Sequence, residues 1–216
     1  MIIDHHTSTL NQKIKFESLV NIHGSGSMLS LYYLSEKLGY DIPKGLKALV
    51  KYTNDFDMFF LRHPESLILN NIFWKLGLFK FIEEYSNGLN NDNWVGSKLY
   101  QMGLDQQKVI EDYVKNCDKY EVEDVMVVAA DEFISNIPLI LTEKENFIII
   151  RKDLTVSFRT KNIDMNPFYL EIKEHGFNPG GHPNAGGCQV EQEKLLDLIE
   201  LFVNFIKKVK HDAEKI

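Results

Sequence analysis

The sequence predicts an α/β protein in two parts, a helix-rich part over about 1–118 and a smaller α+β part over about 121–216. Apolar residues recur at helical spacing through the first part, and short apolar runs typical of strands follow Tyr120. An amphipathic segment closes the chain. The 216 residues, 44% hydrophobic and 25% charged, suit one large domain or two small ones and exclude a disordered or low-complexity chain.

In the first part, Met1 to Ile3 predicts a short buried strand, and a polar loop over 4–11 follows it. Ser25 is a good helix N-cap, and Gly39 is a good stop signal. The predicted helices run from about Ser25 to Gly39, from Pro43 to Thr53 and, as two or three helices, from Ser66 to Asp118. A turn-rich break over 86–94 interrupts the last of these ranges.

The second part combines strands with one long helix. The predicted strands are Val125 to Ala129, Phe147 to Ile150 and Leu154 to Phe158. The glycine-rich run over 178–187 is predicted to form no regular element. From Glu191 to about Lys210, apolar residues recur at helical spacing among charges, which predicts an amphipathic helix.

Charge and composition limit the classes of partner. The formal net charge is -7, so a basic surface that coats long duplex nucleic acid is not expected, whereas a local basic pocket could still bind a small phosphorylated ligand. Cys117 and Cys188 form no metal-binding or disulfide pattern. The chain shows neither a secretory signal nor a membrane-spanning apolar run, so we predict a cytoplasmic protein without a membrane partner.

Two acidic motifs of the first part could carry chemistry. Asp4, His5 and His6 follow the apolar start of the chain, and a carboxylate with two imidazoles suits a first-row metal or a phosphate. An exposed polar turn is the commoner outcome for such a tripeptide. Asp55 and Asp57 could face one site from an extended loop, although a helix C-terminus followed by a solvated acidic turn is the better interpretation of that pair alone.

Two motifs of the second part suit an anion. The run from Gly180 to Gly187 could bring backbone N–H groups close to a ligand in an anion-binding nest, with His182 as a further donor. Its alternative is a flexible surface loop, which the stiff Pro183 makes less favourable. Arg159 offers a planar fork for phosphate, but a lone arginine is more often a surface residue.

The order of these motifs is more specific than any one of them. IDHHTST, NDFDMF, SFRT and GGHPNAGG, in this order over essentially the whole chain, resemble the DHH phosphoesterase superfamily with its DHH-associated C-terminal domain. That group includes nanoRNases and RecJ-type exonucleases. The resemblance implies a truncated, helix-rich, Rossmann-like DHH domain with a helical connector over 1–118, and a DHH-associated substrate-binding domain over 121–216.

The resemblance also implies roles for individual residues. His5 would be a metal ligand with Asp55 as its partner, Asp4 would orient the histidines or approach the metal site, and His6 would contact the metals or the scissile phosphate. Asp57 has no secure counterpart in the family pattern. The implied substrate-binding residues are Arg159, Gly180, Gly181, His182, Pro183, Asn184, Ala185 and Gly186.

The family usually holds two Mn²⁺ ions, which activate a water and stabilise both oxygens of an in-line displacement at phosphorus. The Asp-x-Asp segment that precedes DHH in the family has no counterpart before Asp4. The resemblance therefore implies at most one partial metal site here. A truncated chain, a complementing N-terminal polypeptide, and a module without catalysis are three interpretations of this departure, and the sequence does not choose among them.

Two functions follow as predictions. One is a metal-dependent phosphoesterase acting on short oligonucleotides or small nucleotides, incomplete without an N-terminal metal-binding part. The other is an inactive nucleotide-binding or interaction module derived from such an enzyme. A homodimer is a further expectation, since members of the family often dimerise. Neither the substrate nor the metal can be read from the residues.

Overall fold

The computed structural model describes residues 1–5, 17–89 and 94–215. These residues form two compact units, Met1–Val109 and Ile110–Ile216, which are described separately below. Helices and a mixed sheet occur together, so the predicted α/β class is confirmed. In the described ranges, no helix is both long enough and apolar enough to cross a lipid bilayer.

The first unit has a pair of short strands and a set of helices. Its elements are β1 (Ile2–Asp4), β2 (Ser18–Val20), α1 (Gly26–Tyr32), α2 (Lys44–Asp57), α3 (Pro64–Leu76), α4 (Leu78–Tyr85) and α5 (Lys98–Asn116), the last of which continues into the second unit. The strands are parallel, with Ile3 opposite Leu19. β1 lies one residue later than predicted, and β2 was missed because three residues are too few to show a strand pattern.

The predicted start of the first helix is confirmed. The Ser25 hydroxyl accepts a hydrogen bond from the Met28 amide at 3.2 Å, so Ser25 is the N-cap of α1. α1 passes directly into a π-helical turn over Tyr33–Lys37. Gly39, with φ +70°, adopts the left-handed backbone that glycine tolerates best shortly after a helix.

Ser25→Ala is expected to lower the free energy of unfolding by about 1 kcal/mol, because the Met28 amide loses its hydrogen bond to the fully buried Ser25. Urea unfolding followed by circular dichroism measures this change. Ser86→Ala removes an exposed hydroxyl and should shift the free energy by less than about 0.5 kcal/mol. Equal effects of the two substitutions would contradict the capping role.

The second unit is built on a six-stranded sheet. Its elements after α5 are β3 (Asp118–Val122), β4 (Val125–Ala129), α6 (Ile137–Ile140), β5 (Asn146–Ile150), β6 (Thr155–Thr160), α7 (Asn166–Glu174), β7 (Gly180–His182), β8 (Ala185–Gln189), a short 3₁₀ turn (Gln192–Lys194) and α8 (Leu195–Ala213). The strand order is β3-β4-β5-β6-β8-β7. Only β4 and β5 pair in parallel among the described strands of this sheet.

Both faces of this sheet are covered, and the strand sequences show why. Val125 and Val127 of β4 face a core that includes α7 and α8, whereas Met126 and Val128 face a core with the end of α5 and α6. Because both faces are buried, β4 and β5 read as continuous apolar runs rather than alternating ones. The predicted strands at β4, β5 and β6 are therefore observed, with ends shifted by at most two residues.

The two units divide inside α5. Ile110 and Val114 are fully buried in the core of the second unit, so the last two turns of α5 belong to that unit. The sequence placed the boundary between 118 and 121, where strand content begins. That criterion follows secondary structure, whereas the compact units follow side-chain packing.

Candidate functional site

His5 lies directly after β1 and is held at both ring nitrogens. Its Nδ1 accepts a hydrogen bond from the Gly26 amide at 3.2 Å, and its Nε2 lies 3.4 Å from Oδ2 of Asp57. Because Nδ1 is an acceptor, the neutral imidazole carries its proton on Nε2, which faces the Asp57 carboxylate. The first turn of α1 and the last turn of α2 thus position His5, which is buried.

Asp57, which has no secure counterpart in the family pattern, lies beside the His5 side chain. α2 continues to Asp57, beyond the predicted end at Thr53, so the extended acidic loop considered above does not form. Residues two apart on a helix point in different directions. Asp55 and Asp57 therefore face different surroundings.

Asp55 is buried and accepts hydrogen bonds on both carboxylate oxygens. Oδ1 accepts from the Arg62 amide at 3.1 Å, and Oδ2 accepts from the His63 amide at 3.1 Å and the Ser66 hydroxyl at 2.6 Å. These donors lie at or next to the start of α3, where the helix dipole also stabilises a negative charge. Asp55 therefore ties the end of α2 to the start of α3.

The hydrogen bonds to Asp55 control its ionisation. Burial by itself raises the pKa of the carboxyl, but the bonds from Ser66, Arg62 and His63 outweigh that effect, so the pKa lies below its ordinary value of 3.8. The carboxylate is ionised at neutral pH and already has three donors. Its predicted role as a metal ligand with His5 stays a prediction.

Asp4 and His6 complete the first motif. Oδ1 of Asp4 accepts a hydrogen bond from the backbone amide of His5 at 2.8 Å, so Asp4 contacts the main chain of the histidine it was predicted to orient. His6 lies outside the described residues.

The described residues of the first unit do not fit a two-metal centre. Within residues 1–5, 17–89 and 94–215, no three His, Cys, Asp or Glu side chains converge as a metal site would require. His5 and Asp57 supply two donor side chains, whereas the oxygens of Asp55 hold the start of α3. A complete site needs further ligands.

A cavity of about 540 Å³ opens beside His5 and Asp57. Phe56, Phe73 and Phe81 are among its apolar lining residues, and Ser27, Thr53, Ser66 and Asn70 add polar groups to that lining. Its size lies in the range of small-molecule sites, and aromatic walls with a polar end suit a planar, partly polar ligand.

In the second unit, Arg159 lies on β6 opposite Ala185 of β8. Its Nη1 donates hydrogen bonds to the carbonyls of Phe158 at 2.8 Å and Gly186 at 3.3 Å. In the part of the chain that the structure describes, no carboxylate forms an ion pair with this guanidinium, and burial lowers its pKa. The group stays charged at neutral pH, so this partly buried cation has no anionic partner among the described residues.

The glycine-rich segment forms a hairpin, so the prediction that it fits no regular element is wrong. β7 and β8 pair through Gly181 and Gly186, with Pro183 and Asn184 in the turn. A Cβ on Gly181 would lie 2.3 Å from Cα of Gly186, and Gly181 has φ +150°. Glycine is thus required by close strand packing, which sequence patterns for strands do not include.

The predicted substrate-binding residues of this segment lie together in the hairpin. Gly180, Gly181 and His182 form β7, Pro183 and Asn184 form the turn, and Ala185 and Gly186 begin β8. Arg159 reaches the hairpin through the Gly186 carbonyl. The structure thus groups eight predicted residues in one place within the second unit, and their binding of a ligand stays a prediction.

Comparison with known protein families gives no match, and comparison with curated proteins gives none. Among solved structures, the chain is similar to an uncharacterized protein from Helicobacter pylori, with 17% identity over 92% of this chain and 72% of that one, at a TM-score of 0.30. It is similar to RecJ in complex with Mg²⁺ from Thermus thermophilus, with 14% identity over 95% of this chain and 42% of that one, at a TM-score of 0.43.

A third similar structure is the DHH domain of a protein that belongs to a family of ribosomal proteins. Identity is 16% over 83% of this chain and 45% of that one, at a TM-score of 0.42. The chain therefore spans less than half of the length of this protein and of RecJ.

Proposed function

We propose that the chain binds the phosphate of a short oligonucleotide or small nucleotide through its second unit, and that it forms part of a phosphoesterase of the DHH type. The observation that carries the proposal is Arg159, a partly buried cation without an ion-pair partner among the described residues, beside a glycine hairpin. A phosphate would supply the missing charge, and the guanidinium fork matches its oxygens.

The hairpin supports the same ligand. Its glycines carry no side chains, and the open space beside Gly180 lets a phosphate approach the backbone closely there. His182 follows them directly and is half-buried, which leaves part of the residue accessible. Together with Arg159, these groups can bind one phosphate while the acidic surface elsewhere disfavours long nucleic acid.

Hydrolysis would require more metal ligands than His5 and Asp57. We therefore propose that carboxylates from a complementing polypeptide, or from a second copy of this chain, complete a Mn²⁺ site beside His5. Cys117 and Cys188 are free thiols, which is consistent with the reducing cytoplasm that we propose as the location.

The experiment measures Mn²⁺-dependent hydrolysis of the dinucleotide pApA by the chain, alone and with a polypeptide that carries an Asp-x-Asp segment. We expect activity only in the complemented sample, and His5→Ala should abolish it. Arg159→Ala should mainly raise KM, because it removes binding shared by ground state and transition state. A complemented sample that binds Mn²⁺ and hydrolyses nothing would refute the enzymatic part of the proposal.

A binding module without catalysis is the second candidate. The observation that favours it is Asp55, whose two carboxylate oxygens accept three hydrogen bonds at the start of α3. Calorimetric titration with 5′-AMP, with and without Mn²⁺, separates the candidates. Binding that ignores Mn²⁺ and depends on His182 supports the module, and failure to bind 5′-AMP in either condition removes it.

A further inference from the structure

Three consecutive carbonyls in the β7–β8 turn accept hydrogen bonds from outside the hairpin. The pairs are His182 with the Tyr169 hydroxyl at 3.0 Å, Pro183 with the Met165 amide at 2.8 Å, and Asn184 with the Thr160 amide at 3.0 Å. The turn is thus fixed to residues at the end of β6 and around the start of α7. Since its peptide bonds are trans, the Asn184 N–H points opposite to the Pro183 carbonyl, away from Met165.

Tyr169 is the one of these three donors that acts through its side chain. It is buried in α7, and the other acceptor near its hydroxyl is Sδ of Met165 at 3.8 Å. A thioether is a weak acceptor, so the proton is directed to the His182 carbonyl. Burial raises the pKa of Tyr169, so this proton is retained throughout the neutral range.

The same hydroxyl lies against β8. A Cβ placed on Gly186 would lie 2.2 Å from the Tyr169 oxygen and 2.7 Å from the Gly180 carbonyl oxygen. Glycine at 186 therefore makes room for Tyr169. Because Arg159 donates to the carbonyl of that same Gly186, Tyr169 and Arg159 hold one short stretch of the hairpin.

We propose that Tyr169 is a positioning residue for the phosphate site: its hydroxyl fixes the His182 carbonyl, and thereby sets the imidazole of His182 and the N–H of Asn184 toward the ligand. This inference rests on the proposed binding of a phosphorylated ligand by the second unit. Tyr169 does not itself touch the ligand, and it acts by keeping the turn in its binding geometry.

Tyr169→Phe tests the role, because phenylalanine keeps the ring in the core and removes only the hydroxyl. We expect the Kd for 5′-AMP, measured by calorimetry at 10 °C, to rise about fivefold, which matches the loss of one neutral hydrogen bond. The Asn184 amide resonance of the unliganded protein should also move, and its hydrogen exchange should quicken. Tyr120→Phe, which alters an exposed side chain on β3, should leave all three readouts unchanged.

The outcomes distinguish failure of the positioning role of Tyr169 from failure of the proposed phosphate binding. If wild-type protein binds 5′-AMP and Tyr169→Phe binds it with the same Kd, the positioning role is overturned even if the melting temperature falls. A purely structural tyrosine would give that result. If wild-type protein does not bind 5′-AMP at all, the proposed function fails, and the positioning role fails with it.

Discussion

Asp55→Ala is expected to lower the free energy of unfolding by about 3 kcal/mol, because three donors around the start of α3 lose a buried, charged acceptor. Urea unfolding at pH 7 measures the change. Asp57→Ala is the matched control on the same helix. Its half-exposed carboxylate pairs with the buried His5 imidazole at 3.4 Å, and solvent screens a half-exposed carboxylate, so we expect a change below about 1 kcal/mol.

A small effect of Asp55→Ala would contradict the structural role and favour the metal-ligand role that the family resemblance implies. If Asp55→Ala were as stable as wild type to within about 0.5 kcal/mol, the three hydrogen bonds could not be holding α2 to α3. Asp55→Asn keeps the shape of the side chain and removes its charge. Its free energy of unfolding should lie between those of Asp55→Ala and wild type.

The same carboxylate predicts how stability responds to acid. The folded-state pKa of Asp55 lies below its ordinary value of 3.8, so its contribution to stability is fully present above that value. The contribution is lost as the pH falls through the folded-state pKa. Unfolding measured between pH 5 and pH 2 should therefore show a smaller loss of stability in Asp55→Asn than in wild type.

Arg159→Ala is expected to weaken binding of 5′-AMP about fiftyfold, because charge-assisted hydrogen bonds to a phosphate are worth roughly twice a neutral one. Calorimetry measures the Kd, and circular dichroism checks that the variant keeps its secondary structure. Arg159→Lys keeps the charge without the planar fork and should recover only part of the affinity.

Arg151→Ala is the control for charge alone. Arg151 follows β5 in the same unit, is 41% exposed in its side chain, and lies 3.7 Å from Asp153. Its removal should change the Kd for 5′-AMP by less than about twofold. Equal weakening by both substitutions would mean that net charge, rather than the site at Arg159, governs affinity.

The sequence predicted best those elements whose own residues show which side of the element is buried. β4 and β5 are continuous apolar runs because both sheet faces are covered, and α8 has a clear apolar stripe. β3 was missed because its charged, largely exposed residues lie at a sheet edge. Pairing with β4, rather than an apolar pattern of its own, makes it a strand. β7 was missed because glycine is depleted in strands and is required here by contacts with distant residues.

The candidate site was predictable only in part, for a similar reason. The residue types and their order pointed to His5, Arg159 and the glycine-rich run over 178–187. The observed end of α2 was not predictable from the sequence. Asn54 to Asp57 are weak helix formers, and long-range hydrogen bonds from the start of α3 hold them in a helix. The contact between His5 and Asp57 joins residues 52 positions apart, which no local pattern indicates.

The most direct measurement is an amide-resolved NMR titration of the full chain with 5′-AMP. We predict that the largest shifts fall on the backbone amides between Gly180 and Gly186, Pro183 excepted, and on the side-chain resonance of Arg159, and that Arg159→Ala suppresses them. Saturable shifts confined to other residues, or no shifts at millimolar 5′-AMP, would contradict a phosphate site in the glycine hairpin.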